Sequence, residues 1–186
     1  MSSSSGYLIP QKPFIIGQFE KRMKSCLEED MIINGFYDPE EGLLAAGQKS
    51  HALFSGEDDQ ANPAFEYAEI RDADIKRLIP EGIGPDFVGH CIKCGDLIND
   101  PLSDSLNELY EKEYDTGQRT DMSSLEFICE TCDHLNKLGD IQFKGDTILI
   151  SQYVQFVDIN DNFDPVKIES YENRLDCKLR IIYERF

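Results

Sequence analysis

Six cysteines are spread over the 186-residue chain, and four of them fall in two close pairs. Cys91-Ile92-Lys93-Cys94-Gly95 is the first, and Cys129-Glu130-Thr131-Cys132 is the second. Thiolates are strong ligands for soft metals, and a C-x-x-C turn can present both sulfurs to one ion about 2.3 Å away. Two such turns supply four sulfurs, which closes the tetrahedral sphere of a structural zinc. A catalytic zinc keeps one position open. Cys91, Cys94, Cys129 and Cys132 therefore read as a Zn2+ site that holds structure together. Two disulfides would require an oxidising compartment. A thioredoxin-type pair would sit beside a βαβ pattern, which neither pair does. His90 and His134 flank the cysteines, and either can replace one ligand. With four cysteines present they read first as supporting or surface groups.

Little else in the chain announces chemistry. The three histidines stand at 51, 90 and 134, and His51 is isolated. There is no serine nucleophile elbow, no His-Glu-x-x-His, and no deaminase-type His-x-Glu with Pro-Cys-x-x-Cys. No catalytic residue is assigned. Carboxylates are plentiful, and an acid–base pair among them is the basis of an enzyme alternative. The run from Asp158 to Asp164 starts like a calcium loop, but Phe163 stands where that loop needs glycine.

Charge is the second informative feature. The chain has 36 acidic and 18 basic side chains, a net charge of −18. Residues 55–140, which include both cysteine pairs, hold 21 of the acids and 7 of the bases. Phosphate neutralisation by Lys and Arg supplies most nucleic-acid affinity, so direct DNA or RNA binding is disfavoured. An acidic surface steers basic partners instead. A nucleic-acid-binding zinc ribbon remains a further alternative, with Tyr153, Phe156 and Tyr183 as stacking platforms. No apolar run is long enough to cross a membrane, and the start of the chain lacks the basic and apolar regions of a signal peptide. With Cys26 and Cys177 expected to be free, a cytoplasmic setting fits.

The elements that must position the cysteines follow from periodicity. Residues 1–6 read as a flexible tail and 7–17 as an extended arm. A helix is expected over 18–33, with Phe19, Met23, Cys26 and Leu27 on its apolar face. A short helix after Pro39, a strand over 65–70 and a short helix capped by Asp72 or Asp74 and ending before Pro80 come next. Between the cysteine pairs, Ser105-Leu-Asn-Glu108 matches a capping box. It predicts a helix with Leu106, Leu109, Tyr110 and Tyr114 on one face. From Ile141 the period changes to two. A hairpin turning at Gly145-Asp146, then strands over 153–159, 166–171 and 178–183, are expected.

The Cys-x-x-Cys-Gly unit resembles the knuckle of zinc-ribbon and treble-clef sites. Residues 133–139 look like a short helix closed by Gly139, and a knuckle followed by a helix-borne pair is the treble-clef order. The resemblance covers 89–139 and implies a metal site without implying an activity. Residues 95–128 between the pairs exceed the common spacing of about 15–20, so an insert must fold there.

The expected fold is α+β. A C-terminal antiparallel sheet of four to five strands and an N-terminal helix form one domain over 7–186. It carries an acidic zinc module with a helical insert at about 89–139. The expected function is a non-catalytic interaction protein that docks on a basic partner. A nucleic-acid-processing enzyme is plausible as the target, engaged as inhibitors or immunity proteins engage theirs.

Overall fold

The structure, a computed structural model, describes residues 4–56, 62–79, 82–83, 88–144 and 147–185. In chain order its elements are β1 (Ser4–Pro10), α1 (Gln18–Glu29), β2 (Ile33–Asp38), β3 (Leu43–Ala46), β4 (Tyr67–Ile79), β5 (Gly82–Ile83), β6 (Val88–Gly89), α2 (Asn99–Thr116), β7 (Glu126–Ile128), β8 (Leu135–Lys137), β9 (Phe143–Lys144), β10 (Ile148–Val157), α3 (Pro165–Leu175) and β11 (Leu179–Arg185). The chain divides into two compact units. The first is Met1–Ala73 with Gln152–Phe186, and the second is Asp74–Ser151.

The first unit is built on a sheet whose strands run in the order β2-β3-β4-β10-β1-β11. β1 lies inside this sheet. It pairs antiparallel with β10 through Leu8↔Val154 and with β11 through Tyr7↔Ile182. The expected tail and docking arm are thus in part a central strand, beginning at Ser4. Residues 1–3 lie outside the described residues. Gly6 is required where it stands. A Cβ there would meet Ile159 Cδ1 at 2.7 Å and the Phe163 ring at 2.8 Å.

One sheet face buries Leu8, Val154, Phe156 and Leu179 against Phe19, Met23 and Leu27 of α1 and Ile168, Tyr171 and Leu175 of α3. Leu179, Ile181 and Tyr183 all join this core, as the alternation of the last strand predicts. Phe54, Phe65, Phe156 and Phe163 fill it out, with Phe65 edge-on to Phe156 at 5.1 Å between centroids. The other face carries Tyr7, Ile9, Tyr153 and Ile182, all buried. It also carries Glu184, whose Oε2 accepts a 2.6 Å hydrogen bond from the Tyr7 hydroxyl.

Several local expectations are overturned for identifiable reasons. α1 ends at Glu29, because Met31 turns left-handed at φ 59° and Ile33 already starts β2. The stretch after Pro39 turns back as a β2–β3 hairpin, not as a helix. β4 continues through Ile79, so Asp72 caps no local helix. Its Oδ2 accepts instead from Glu20 N–H at 3.0 Å, in the first turn of α1, and its Oδ1 accepts from Gln152 Nε2 at 2.7 Å.

The strand expected over 166–171 is α3. Asp164 Oδ1 accepts from Val166 and Lys167 N–H at 2.8 and 3.0 Å, and Pro165 occupies the first turn. An N-cap carboxylate followed by proline favours helix entry there. The sheet is therefore not a C-terminal one. It draws β1, β2, β3 and β4 from the first 79 residues.

α1 and α3 are tied at their ends by charge. Asp30 pairs with Lys167 at 2.8 Å and Arg174 at 3.0 Å, and Arg174 also reaches Glu29 at 2.6 Å. Partial burial alone would raise the Asp30 pKa. The hydrogen bond and charge of Lys167, with Arg174, outweigh it and hold the carboxyl below its ordinary value.

Glu184 behaves oppositely. Burial pushes its pKa above the ordinary 4.5, and the Tyr7 hydroxyl offsets only part of that. A raised folded pKa means that the carboxyl's contribution to stability is full below the unfolded value and is lost as pH rises through the folded one. Glu184→Gln keeps an acceptor for Tyr7. It should melt with the parent in acid and above it at neutral pH. Coincident melting temperatures at neutral pH would contradict this account.

Candidate metal centre

The second unit brings the two cysteine pairs together. Its core is Leu78, Ile98, Leu102, Leu106, Leu109, Met122, Phe127, Leu138 and Ile141, and Cys91 and Cys129 are buried in it. α2 lies between the pairs in sequence and presents Leu102, Leu106 and Leu109 to this core. The helix begins at Asn99, earlier than the capping box suggests, and stops at Gly117 in the left-handed region at φ 64°. Asn99 Oδ1 accepts from Gly89 N–H at 3.2 Å, just ahead of the first pair. Of the apolar residues expected on its face, Tyr110 and Tyr114 are exposed, Tyr114 by 91%. Glu113 anchors the far end through two bonds from Arg77 Nη1, at 2.7 and 2.8 Å.

Each pair occupies a tight turn of the same build. Gly95 N–H donates to Cys91 O at 2.9 Å, and Cys91 N–H donates to Asp96 O at 2.8 Å. In the second turn Asp133 N–H donates to Cys129 O at 2.9 Å, and Cys129 N–H donates to His134 O at 2.9 Å. The residue after each second cysteine is left-handed: Gly95 at φ 78° and Asp133 at φ 54°. Strands close the turns. His90 bridges Leu97, and β7 pairs with β8 through Ile128↔Leu135, Phe127↔Asn136 and Glu126↔Lys137.

The helix expected over 133–139 is absent from these described residues. Leu135–Lys137 is a strand, followed by a single 3-10 turn at Leu138–Asp140. Cross-strand pairing of Phe127 and Asn136, both buried, takes that segment into the hairpin. The second pair is therefore hairpin-borne, and the treble-clef order does not hold. The hairpin expected across Gly145-Asp146 has a turn outside the described residues, and β9 pairs with β6.

The four sulfurs all lie within 4.8 Å of one another. Cys91 Sγ is 3.8 Å from Cys132 Sγ, and Cys94 Sγ is 3.7 Å from Cys129 Sγ. A tetrahedron with metal–sulfur bonds of about 2.3 Å has edges of about 3.8 Å. Cys91, Cys94, Cys129 and Cys132 can thus hold one metal ion, a set consistent with a zinc-ribbon-like module.

Their acidities show why a cation suits the cluster. For Cys91, burial opposes ionisation, but the N–H groups of Cys94 and Lys93 outweigh it and bring the thiol down to about 6. For Cys94, a bond from the Asp96 N–H favours the thiolate. Burial and the three neighbouring sulfurs overcome it and push the thiol up to about 12. Cys91 thus ionises readily while Cys94 resists, and a shared cation would favour the thiolate form of both.

His90 and His134 stay outside the four-sulfur set. His90 Nδ1–H donates to Gly95 O at 2.9 Å, and His134 serves the second turn through its carbonyl. The residue that sequence reasoning missed is Asn136. It is 0% exposed, its Oδ1 accepts from Ile92 N–H at 3.3 Å in the first turn, and its Nδ2 donates to His134 O at 3.1 Å in the second. A buried asparagine opposite Phe127 becomes recognisable only once β7 and β8 are paired.

Other candidates have ordinary places. His51 Nε2 contacts Asn62 O at 2.6 Å, and Cys26 and Cys177 are buried in the core of the first unit. Tyr153 and Phe156 are buried too, which removes two of the three aromatics proposed as stacking platforms. No protein-family model matches the chain, and no curated protein and no solved structure matches it.

Asn136→Ala should leave the four sulfurs in place but free the two turns from each other. Metal affinity should fall about 10- to 100-fold, the usual cost of losing an outer-shell partner. A competition titration against a chelating dye measures it, and unchanged affinity would show that the asparagine does not support the site.

Proposed function

We propose that this is a non-catalytic, zinc-stabilised acidic interaction protein that docks on a basic partner. The observation that carries the reading is the closed set of four sulfurs. It leaves a metal no open position for substrate or water, and it braces two hairpin turns against one small core. Zinc is the ion of this reading, because a tetrahedron of four thiolates is a common structural Zn2+ site. All six cysteines are free thiols, which suits the reducing cytoplasm.

The net charge of −18 supports the choice of partner. α2 exposes Asp100, Asp104, Glu108, Glu111 and Asp115, spaced so that they share one side of the helix. Such a surface raises encounter rates with basic proteins and repels nucleic acid. A nucleic-acid-processing enzyme, whose own binding surface is basic, is a suitable target for inhibition or tethering.

Two experiments test the halves separately. Purified protein should carry one zinc per chain. Chelation, Cys91→Ser and Cys132→Ser should each remove the metal and the hydrogen-exchange protection of 89–139, because ligation and folding are linked. A Cys132→Ser protein that kept its metal and its melting temperature would refute the four-cysteine site.

For the partner, nuclease-treated lysate is passed over the immobilised protein and over an unrelated protein of equal negative charge. A basic protein held by the first alone at low salt and released at high salt is the expected result. Equal capture by both columns, or retention that ignores salt, would overturn the electrostatic docking reading.

A further inference from the structure

The first unit contains a cavity of about 540 Å³ lined by Lys21, Arg22, Ser25, Cys26 and Glu29 of α1 and by Arg174 of α3. We propose that this groove binds a small phosphorylated molecule. Its walls are cationic on a chain that is otherwise strongly acidic. Three lining residues, Lys21, Arg22 and Arg174, are cationic and one, Glu29, is a carboxylate, while Asp30 and Lys167 adjoin them through Arg174. Both carboxylates are already engaged. Arg174 bridges the pair of them, Lys167 also holds Asp30, and Ser25 donates to Glu29 Oε1 at 2.7 Å. The local excess of two positive charges matches a phosphate monoester dianion.

The two guanidiniums are held in advance. Arg22 stacks over the Phe14 ring at 5.4 Å, and its Nη2 donates to Arg174 O at 2.9 Å. Arg174 stacks over Tyr171 at 5.7 Å while its Nη atoms grip Glu29 and Asp30. A guanidinium carries five N–H donors in a fixed fork, and the Arg174 carbonyl takes one of Arg22's. Ordering a fork before the ligand arrives removes entropy that binding would otherwise have to overcome. Lys21, exposed on α1, adds a mobile point charge at the rim. The cavity is of the size that takes a small organic ligand, about 300–1,000 Å³, so phosphate alone would leave most of it unfilled. Cys26 and the aliphatic stems of Lys21 and Arg22 offer apolar surface for the remainder.

The site lies wholly in the first unit and does not depend on the metal or on the docking partner. The test uses the full zinc-loaded chain and amide NMR. Adenosine 5′-monophosphate, ribose 5-phosphate and inorganic phosphate are the probes, with adenosine and ribose as uncharged controls. The organic phosphates should shift resonances of 18–29 and around 174 at millimolar concentration, inorganic phosphate should do so more weakly, and the controls should not. Lys21→Glu replaces an exposed side chain and leaves the fold intact. It should weaken binding about tenfold or more, the worth of one charged hydrogen bond. Arg22→Met, which removes the guanidinium but keeps an unbranched apolar side chain, should weaken it as well. No shift at these residues with any phosphorylated probe, equal shifts with the controls, or affinity unchanged in Lys21→Glu would overturn the proposal.

Discussion

The second unit is arranged around the convergence of four sulfurs within 4.8 Å of one another, a set that could hold one metal ion. Residues 74–151 are near the size, about 70–80 residues, below which a single core rarely suffices and a metal or disulfide staple is common. Here the core is a modest group of leucines and isoleucines around Met122 and Phe127, and Cys91 and Cys129 belong to it. Burying a thiol that must ionise is costly unless a metal takes the charge. With a metal bound, packing and ligation would be one event, because the ion stabilises the thiolates that folding brings together.

The two turns solve one geometric problem with different residues. Each folds a cysteine amide back onto a carbonyl five residues on, and each needs a left-handed residue after its second cysteine. Glycine meets that need without strain in the first turn. Asp133 meets it in the second, as short polar side chains do more often than bulky ones. What differs is the support. Asn136 comes from the second hairpin and serves both turns, so the hairpin β7–β8 acts as the brace of the first turn as well as its own.

The first unit rests on another logic. The strand Ser4–Pro10 lies between β10 and Leu179–Arg185, so segments far apart in sequence share the centre of the sheet. The helices on one face are then fastened by side chains from distant segments. Asp72 on β4 caps α1, and Asp30 after α1 holds Lys167 and Arg174 of α3. These bonds place two arginines beside one cavity, giving a cationic groove on a chain of net charge −18. The global charge and the local one can serve different partners, because screening at physiological salt limits each surface to roughly a Debye length of about 8 Å.

Short-range chemistry was legible in the sequence. C-x-x-C spacing identifies Cys91, Cys94, Cys129 and Cys132, because two sulfurs three residues apart need only a local turn to converge. The apolar stripe Phe19, Met23, Cys26 and Leu27 identifies α1, and the alternation of Leu179, Ile181 and Tyr183 identifies β11, because both periods are properties of the local backbone. Residues 166–171 fit either period over so short a run, and the Asp164-Pro165 cap decides for helix. Partnership at a distance was not legible. Asp72 was recognisable as a capping residue, but not as the cap of a helix some fifty residues earlier in the chain. The short run after Cys132 fits a helical turn taken alone, and it becomes a strand because Phe127 and Asn136 pair. Asn136 and the Arg22–Arg174 groove exist only through tertiary contact. Local periodicity reports what one segment can do, whereas register and long-range hydrogen bonds depend on which segments meet.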